Sequence, residues 1–151
     1  MYNLRMNTVF LTVISGTTVF VLGQTVQRFL LQPLSNFNEA KAEVHTVLEL
    51  YANVINTFAT GALAEEASQK IREVAVKIEV TYYQIPFVKQ LGRLHLFGVV
   101  SEKNLTKAFG NLIFMHYHIP REGRSDLSLG RYSDTFILLG INKIGWFAPS
   151  Q

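Results

Sequence analysis

The sequence predicts an all-α protein, with one N-terminal transmembrane helix over residues 1–33 and a compact four- or five-helix bundle over residues 34–151. Three observations carry that reading. No charged side chain lies between Arg5 and Arg28. Beyond that run the apolar residues recur at helical spacing, and no strictly alternating run or Asn-Gly turn announces a sheet.

The uncharged run comes first. As a helix rising about 1.5 Å per residue, Met6 to Gln27 is about 33 Å long, enough to cross a hydrocarbon core of about 30 Å. A secretory signal peptide is the main competing reading, with Val21 and Gly23 as the small residues before a cut at Gln24. Against it, Phe29, Leu30 and Leu31 continue the apolar pattern past Arg28, as a helix leaving a membrane does. A core helix of a soluble protein is a third reading, and the length of the run argues against it.

Composition narrows the rest. With 151 residues there is room for an anchor and one small domain. The formal charge is +3, and once Arg5 and Arg28 are set aside the basic and acidic residues nearly balance. A nucleic-acid-binding domain would concentrate basic residues, so no nucleic acid is expected as a partner. The chain has no cysteine, which excludes disulfides, thiolate zinc sites and cysteine nucleophiles. The positive-inside rule has little to count. Arg28 and Lys41 past the helix, together with the lack of disulfide chemistry, place the domain in the cytoplasm as an expectation. The Asn-Leu-Thr sequon at Asn104 reads as a chance match.

Along the chain, Pro33 is expected to kink or break the helix just beyond the membrane, and the polar residues Ser35 to Asn38 offer N-caps for the next one. Ala40, Val44, Val47, Leu48, Tyr51, Ile55 and Phe58 then fall on one face of a helix from Glu39 to Phe58, ended by Thr60 to Ala62. A second helix from Leu63 to about Tyr83 buries Ala67, Ile71, Val74, Ala75, Ile78 and Tyr82. Its solvent face sets Glu66 before Lys70 and Glu73 before Lys77, at the i,i+4 spacing that favours ion pairs. Ile85 and Pro86 break the pattern before a short helical piece from Phe87 to about Leu94. Ser101 caps a helix running to about Tyr117, with Leu105, Ala108, Phe109, Leu112 and Ile113 inward. After the polar loop Pro120 to Arg124, Ser125 or Asp126 caps a last helix carrying Leu129, Tyr132, Phe136 and Leu139 and ending near Gly140. Trp146 and Phe147 in the tail suit either a lipid interface or packing under the bundle.

Chemistry-bearing motifs are sparse. His116 and His118 are two apart, which places them on one face of a strand but not of a helix, so a metal site is not expected. At a helix end one of them suits the terminal carbonyls instead. A small helical bundle also invites comparison with ribonucleases of the HEPN class, which carry an Arg four to six residues before a His. None of His45, His95, His116 and His118 has one. No serine elbow or glycine-rich phosphate loop is present, so no catalytic residue, metal or cofactor is assigned and an enzyme is not expected.

The anchor is more informative, because it is polar for a helix that only has to sit in lipid. Gly16 and Gly23 lie seven apart on one face, Thr12 stands one turn before Gly16, and Thr17, Gln24 and Arg28 lie on the adjacent face. Small residues let backbones approach, and polar side chains bond across a helix interface. Thr12, Gly16, Thr17, Gly23, Gln24 and Arg28 are therefore the candidate oligomer or pore interface. The plainer reading is a single-pass anchor whose threonines bond to their own backbone.

The run GQTVQRFLLQPL from Gly23 to Leu34, with LYANV from Leu50 to Val54 and IPF from Ile85 to Phe87, resembles a family of small bacterial membrane proteins. That resemblance implies one N-terminal membrane helix, a proline just past it, a helical domain and a bacterial inner membrane. In size and layout the chain is also similar to the small membrane accessory protein of type VI-B RNA-targeting CRISPR systems, which implies an oligomeric pore acting in antiphage defence. The expectation is thus a homo-oligomeric, pore-forming or membrane-disrupting effector. The alternative is a monomeric anchored bundle that recruits a protein partner to the bilayer.

Overall fold

Residues 2–56, 61–94, 96–119 and 125–141 are described by a computed structural model, and among them every regular element is helical. The first helix, α1 (Tyr2–Val26), passes without a break through a π-helical segment, Gln27–Leu31, into α2 (Gln32–Leu50). Pro33 does not end the helix as its lack of an N–H predicts. A proline inside an α-helix collides with the carbonyl four residues back. Here the preceding turn is widened, so that Gln32 N–H bonds to the Gln27 carbonyl five residues back, and Pro33 lies in the first turn of α2. Ser35 to Asn38 consequently lie inside a helix and cap nothing. The expected helix from Glu39 is the second half of this longer one, and it stops at Leu50 instead of Phe58. Tyr51 leaves helical geometry (φ −99°, ψ 14°), and α3 (Ala52–Asn56) restarts beyond it. Phe58 and Thr60 lie outside the described residues.

The remaining elements are α4 (Ala62–Tyr83), α5 (Val88–Arg93), a 3₁₀ turn at Leu96–Gly98, α6 (Glu102–His118) and α7 (Ser125–Leu138). Gly61 starts α4 at φ 92°, a conformation open to glycine, while its carbonyl accepts from Ala64 and Glu65 N–H. Ser101 caps α6 as expected, its Oγ accepting from Asn104 N–H at 3.3 Å. The tail residues Trp146 and Phe147 lie outside the described residues.

Cross-helix contacts fix the topology. Tyr51 and Glu43 of the first bundle helix meet Glu66 and Lys77 of α4, early with late, so the two run antiparallel. Ser68 of α4 meets His116 of α6, and Asn111 and Phe114 of α6 meet Arg131 of α7. Glu49 and His45 of α2 meet Tyr132 and Phe136 of α7. The helices α2, α4, α6 and α7 thus form a closed up-down-up-down bundle around Phe37, Leu48, Ile71, Tyr82, Leu112 and Phe136. The charges expected to pair along α4 are partnered differently. Lys77 reaches across to Glu43, Lys70 pairs with Glu73, and Glu66 accepts from Tyr51 Oη at 2.9 Å.

Gly92 of α5 marks the tightest approach. A Cβ there would stand 2.6 Å from the Val100 carbonyl oxygen, which also accepts from Tyr82 Oη at 3.1 Å. Burial, then the nearby charge of Glu102, raises the Tyr82 phenol above its ordinary pKa. Phe87 and Phe97, on either side of α5, both adopt φ 54°. For a bulky side chain that left-handed conformation is strained by about 1–2 kcal/mol.

Candidate functional site

The helix α1 projects from the bundle with none of its described side chains buried. Phe10, Leu11, Val19, Phe20 and Leu22 are each more than half exposed, on all sides of the helix. A core helix of a soluble domain has a covered face; this one has none among the described residues. It is long and apolar enough to cross a membrane and lies near the N-terminus. Burial begins where α1 gives way to α2: Leu30 touches the core and Leu34 is the first fully buried residue.

The candidate interface residues are distributed along this helix. Gly16 and Gly23 have no heavy atom within 4 Å of where a Cβ would sit. Thr17 Oγ1 donates to the Val13 carbonyl at 2.9 Å, and Thr18, Thr25 and Ser15 donate to Ile14, Val21 and Thr12 in the same way. Each hydroxyl is therefore satisfied inside the helix, which lets it sit in an apolar medium. The side chains of Gln24 and Arg28 make no hydrogen bond or ion pair with any described residue; Arg28 lies exposed in the π segment. On the side of Gly16 and Gly23, a shallow groove runs past Val19, Gly23, Val26, Gln27 and Leu31.

The histidines resolve into structural roles. His118 Nδ1 donates to the Phe114 carbonyl at 2.8 Å and stacks on the Phe114 ring, which is the helix-end role its position predicts. His116 and Ser68 form a pair that resembles a base and a nucleophile, with Nδ1 to Oγ at 2.7 Å. Proton bookkeeping gives them other roles. Nδ1 also lies 3.0 Å from the Ser68 carbonyl, which only accepts, so Nδ1 carries the proton. Ser68 Oγ in turn donates to the His116 carbonyl at 2.9 Å. The two residues lash α4 to α6, with Ser68 buried away from any substrate. His45 packs edge-on against Phe136, and His95 lies outside the described residues. No cluster of three metal-ligating side chains occurs among the described residues.

Two further sites have distinctive electrostatics. Tyr132 Oη donates to Glu49 at 3.2 Å, and burial, followed by the charge of Glu49 and that bond, pushes the phenol up to about 12. Lys41 is held below its ordinary value by burial, its Nζ donating to the Gly98 carbonyl at 3.1 Å. Between α6 and α7 an open cleft is lined by Lys107, Asn111, Arg131 and Asp134, with Arg131 laid 3.8 Å over the Phe114 ring. Its charges are of mixed sign and Arg131 is already engaged, so it has no convergent chemistry.

Sequence reasoning missed the Tyr51–Glu66, Ser68–His116 and Tyr132–Glu49 bonds, which join residues 15 to 83 positions apart and leave no local spacing signal. Comparison with protein-family models, with curated proteins and with solved structures gives no match.

Proposed function

We propose that this chain is a single-pass membrane protein that assembles as a homo-oligomer through the Gly16 and Gly23 side of α1, its bundle on the cytoplasmic side of a bacterial inner membrane. The assembly opens a pore or otherwise disrupts the bilayer. Gln24 carries this reading. Its amide has no side-chain hydrogen bond to any described residue, lies one turn inside the Arg28 end of the apolar run, and follows Gly23, which lines the groove. An unbonded amide in hydrocarbon is penalised by on the order of several kcal/mol. The same amide on a second copy, or water in a lumen between copies, removes that penalty. Thr12 and Thr17 extend the contact along the helix, and Arg28 reaches the headgroups.

The test is the mass of the full-length protein in nanodiscs, corrected for lipid. A discrete oligomer that dissociates when Gly16→Leu and Gly23→Leu are combined is the expected result, with dye leakage from vesicles altered by Gln24→Leu. A monomer overturns it. One observation favours a second reading, a monomeric anchored module that recruits a protein partner. The hydroxyls of Ser15, Thr17, Thr18 and Thr25 already bond within α1 and require no second helix.

A further inference from the structure

We propose that the connection between α4 and α6, residues 84–101, is a second lipid contact, in which Phe87 and Phe97, flanked by Leu94 and Leu96, enter the headgroup region of the bilayer that holds α1. This rests on the membrane reading of α1 above.

Placement is the first argument. Because α1 continues into α2 without a break, the end of the bundle at which α2 begins is the end that faces the membrane. The connection packs along the half of α2 nearer α1: Tyr82 packs on Phe37, Lys41 bonds to Gly98, and Gly98 lies beside Asn38. Phe37 stands about 13 Å along the helix from Arg28, and α4 runs toward the bilayer as it ends at Tyr83. The residues just after Tyr83 therefore occupy the space between the bundle core and the headgroups.

Exposure is the second. Phe87 is 76% exposed, Leu94 65% and Phe97 61%, although the core is a few residues away at Ile85, Val88, Val99 and Val100. Both phenylalanines hold strained backbone conformations that aim large rings outward. Strain spent on exposing an aromatic ring is unfavourable twice over in water, and is explained if the ring has somewhere apolar to go. Charge is the third. Residues 84–101 contain Lys89, which lies 3.4 Å from Glu102, and Arg93, and no acidic residue. Aromatic and leucine side chains beside basic ones are the composition of a segment lying at the lipid interface.

The chain has no cysteine, so single-cysteine variants of the full-length protein can each carry one bimane fluorophore. The protein is placed in nanodiscs with and without lipids brominated high on the acyl chain. Bimane at Phe20→Cys reports whether α1 is inserted, and at Leu63→Cys, exposed at the far end of the bundle, whether the domain adsorbs indiscriminately. The expected result is loss of fluorescence to brominated lipid at Phe20→Cys, Phe87→Cys and Phe97→Cys and none at Leu63→Cys. Quenching at Phe20→Cys alone overturns the second contact and leaves the anchor standing. No quenching at Phe20→Cys overturns the membrane reading itself. Quenching at all four sites, Leu63→Cys included, overturns a specific contact.

Discussion

α1 and α2 are two lengths of one helix, and they differ in what their side chains touch. In α1 apolar residues surround the axis and none of the described ones is buried; in α2 most of them, Leu34, Phe37, Ala40, Val44, Val47 and Leu48, lie on one stripe covered by other helices, and Leu50 at its end is exposed. The backbone is the same on both sides of the π segment, so the change lies in the distribution of apolar surface. A stripe is covered by neighbouring helices, whereas a surface apolar all round needs cover on every side, from a large core or from lipid. The continuity also means that the bundle does not hang on a linker: tilt of α1 becomes tilt of the bundle.

Substitutions at matched apolar positions test that difference most strongly. Phe37→Ala, in the core against Tyr82, is expected to destabilise the bundle by about 3–5 kcal/mol, while Phe20→Ala should leave it within about 0.5 kcal/mol. Denaturant unfolding of both variants in the same detergent checks it; equal losses would mean that α1 packs on the bundle. Gly92→Ala should cost about 1–3 kcal/mol, because the Val100 carbonyl is backbone and has little room to move, whereas Gly16→Ala meets open space. Thermal melts of the pair separate the two environments.

Ser68→Ala should lose about 1–3 kcal/mol, since it takes the hydroxyl donor from the half-buried His116 carbonyl while the Ser68 backbone carbonyl still faces Nδ1, and Thr17→Val should change bundle stability little. A double-mutant cycle with His116→Ala would show a coupling if the two act as one lash. The smallest effect expected is Tyr132→Phe, about 1 kcal/mol near neutral pH. Its pH dependence is more distinctive. The folded phenol titrates near 12, above the 10 of the free group, so the folded state holds its proton longer. That stabilisation is complete below pH 10 and is lost as pH rises from about 10 to 12. Tyr132→Phe should flatten that part of the stability curve, as read by melts across the range.

The elements that could be read from the sequence are those specified by local chemistry: the uncharged run, the Ser101 cap, the stripe from Leu105 to Met115, and α4 with its break at Ile85 and Pro86. Pro33 was misleading for a specific reason. The rule that proline breaks a helix assumes a fixed register of hydrogen bonds, and a π turn changes the register so that the helix continues. Glu66 and Lys77 misled in a similar way, because spacing along one helix says nothing of a closer partner on another. Of the candidate interface, the threonine hydroxyls bonding back to their own helix were one of the two readings the sequence offered, and the lack of a described side-chain partner for Gln24 could not be read from it.

By itself the sequence determined that this protein is helical, that its first helix is uncharged from Met6 to Gln27 and long and apolar enough to span a bilayer, and which faces of the later helices turn inward. These follow from periodicity and charge, which are local properties. Only the tertiary structure decided that α1 and the bundle share one helix, that His116 Nδ1 is bound to Ser68, and that the α4–α6 connection leaves Phe87 and Phe97 exposed. Each depends on residues distant in the chain arriving at one place, and packing energy, not local preference, brings them there.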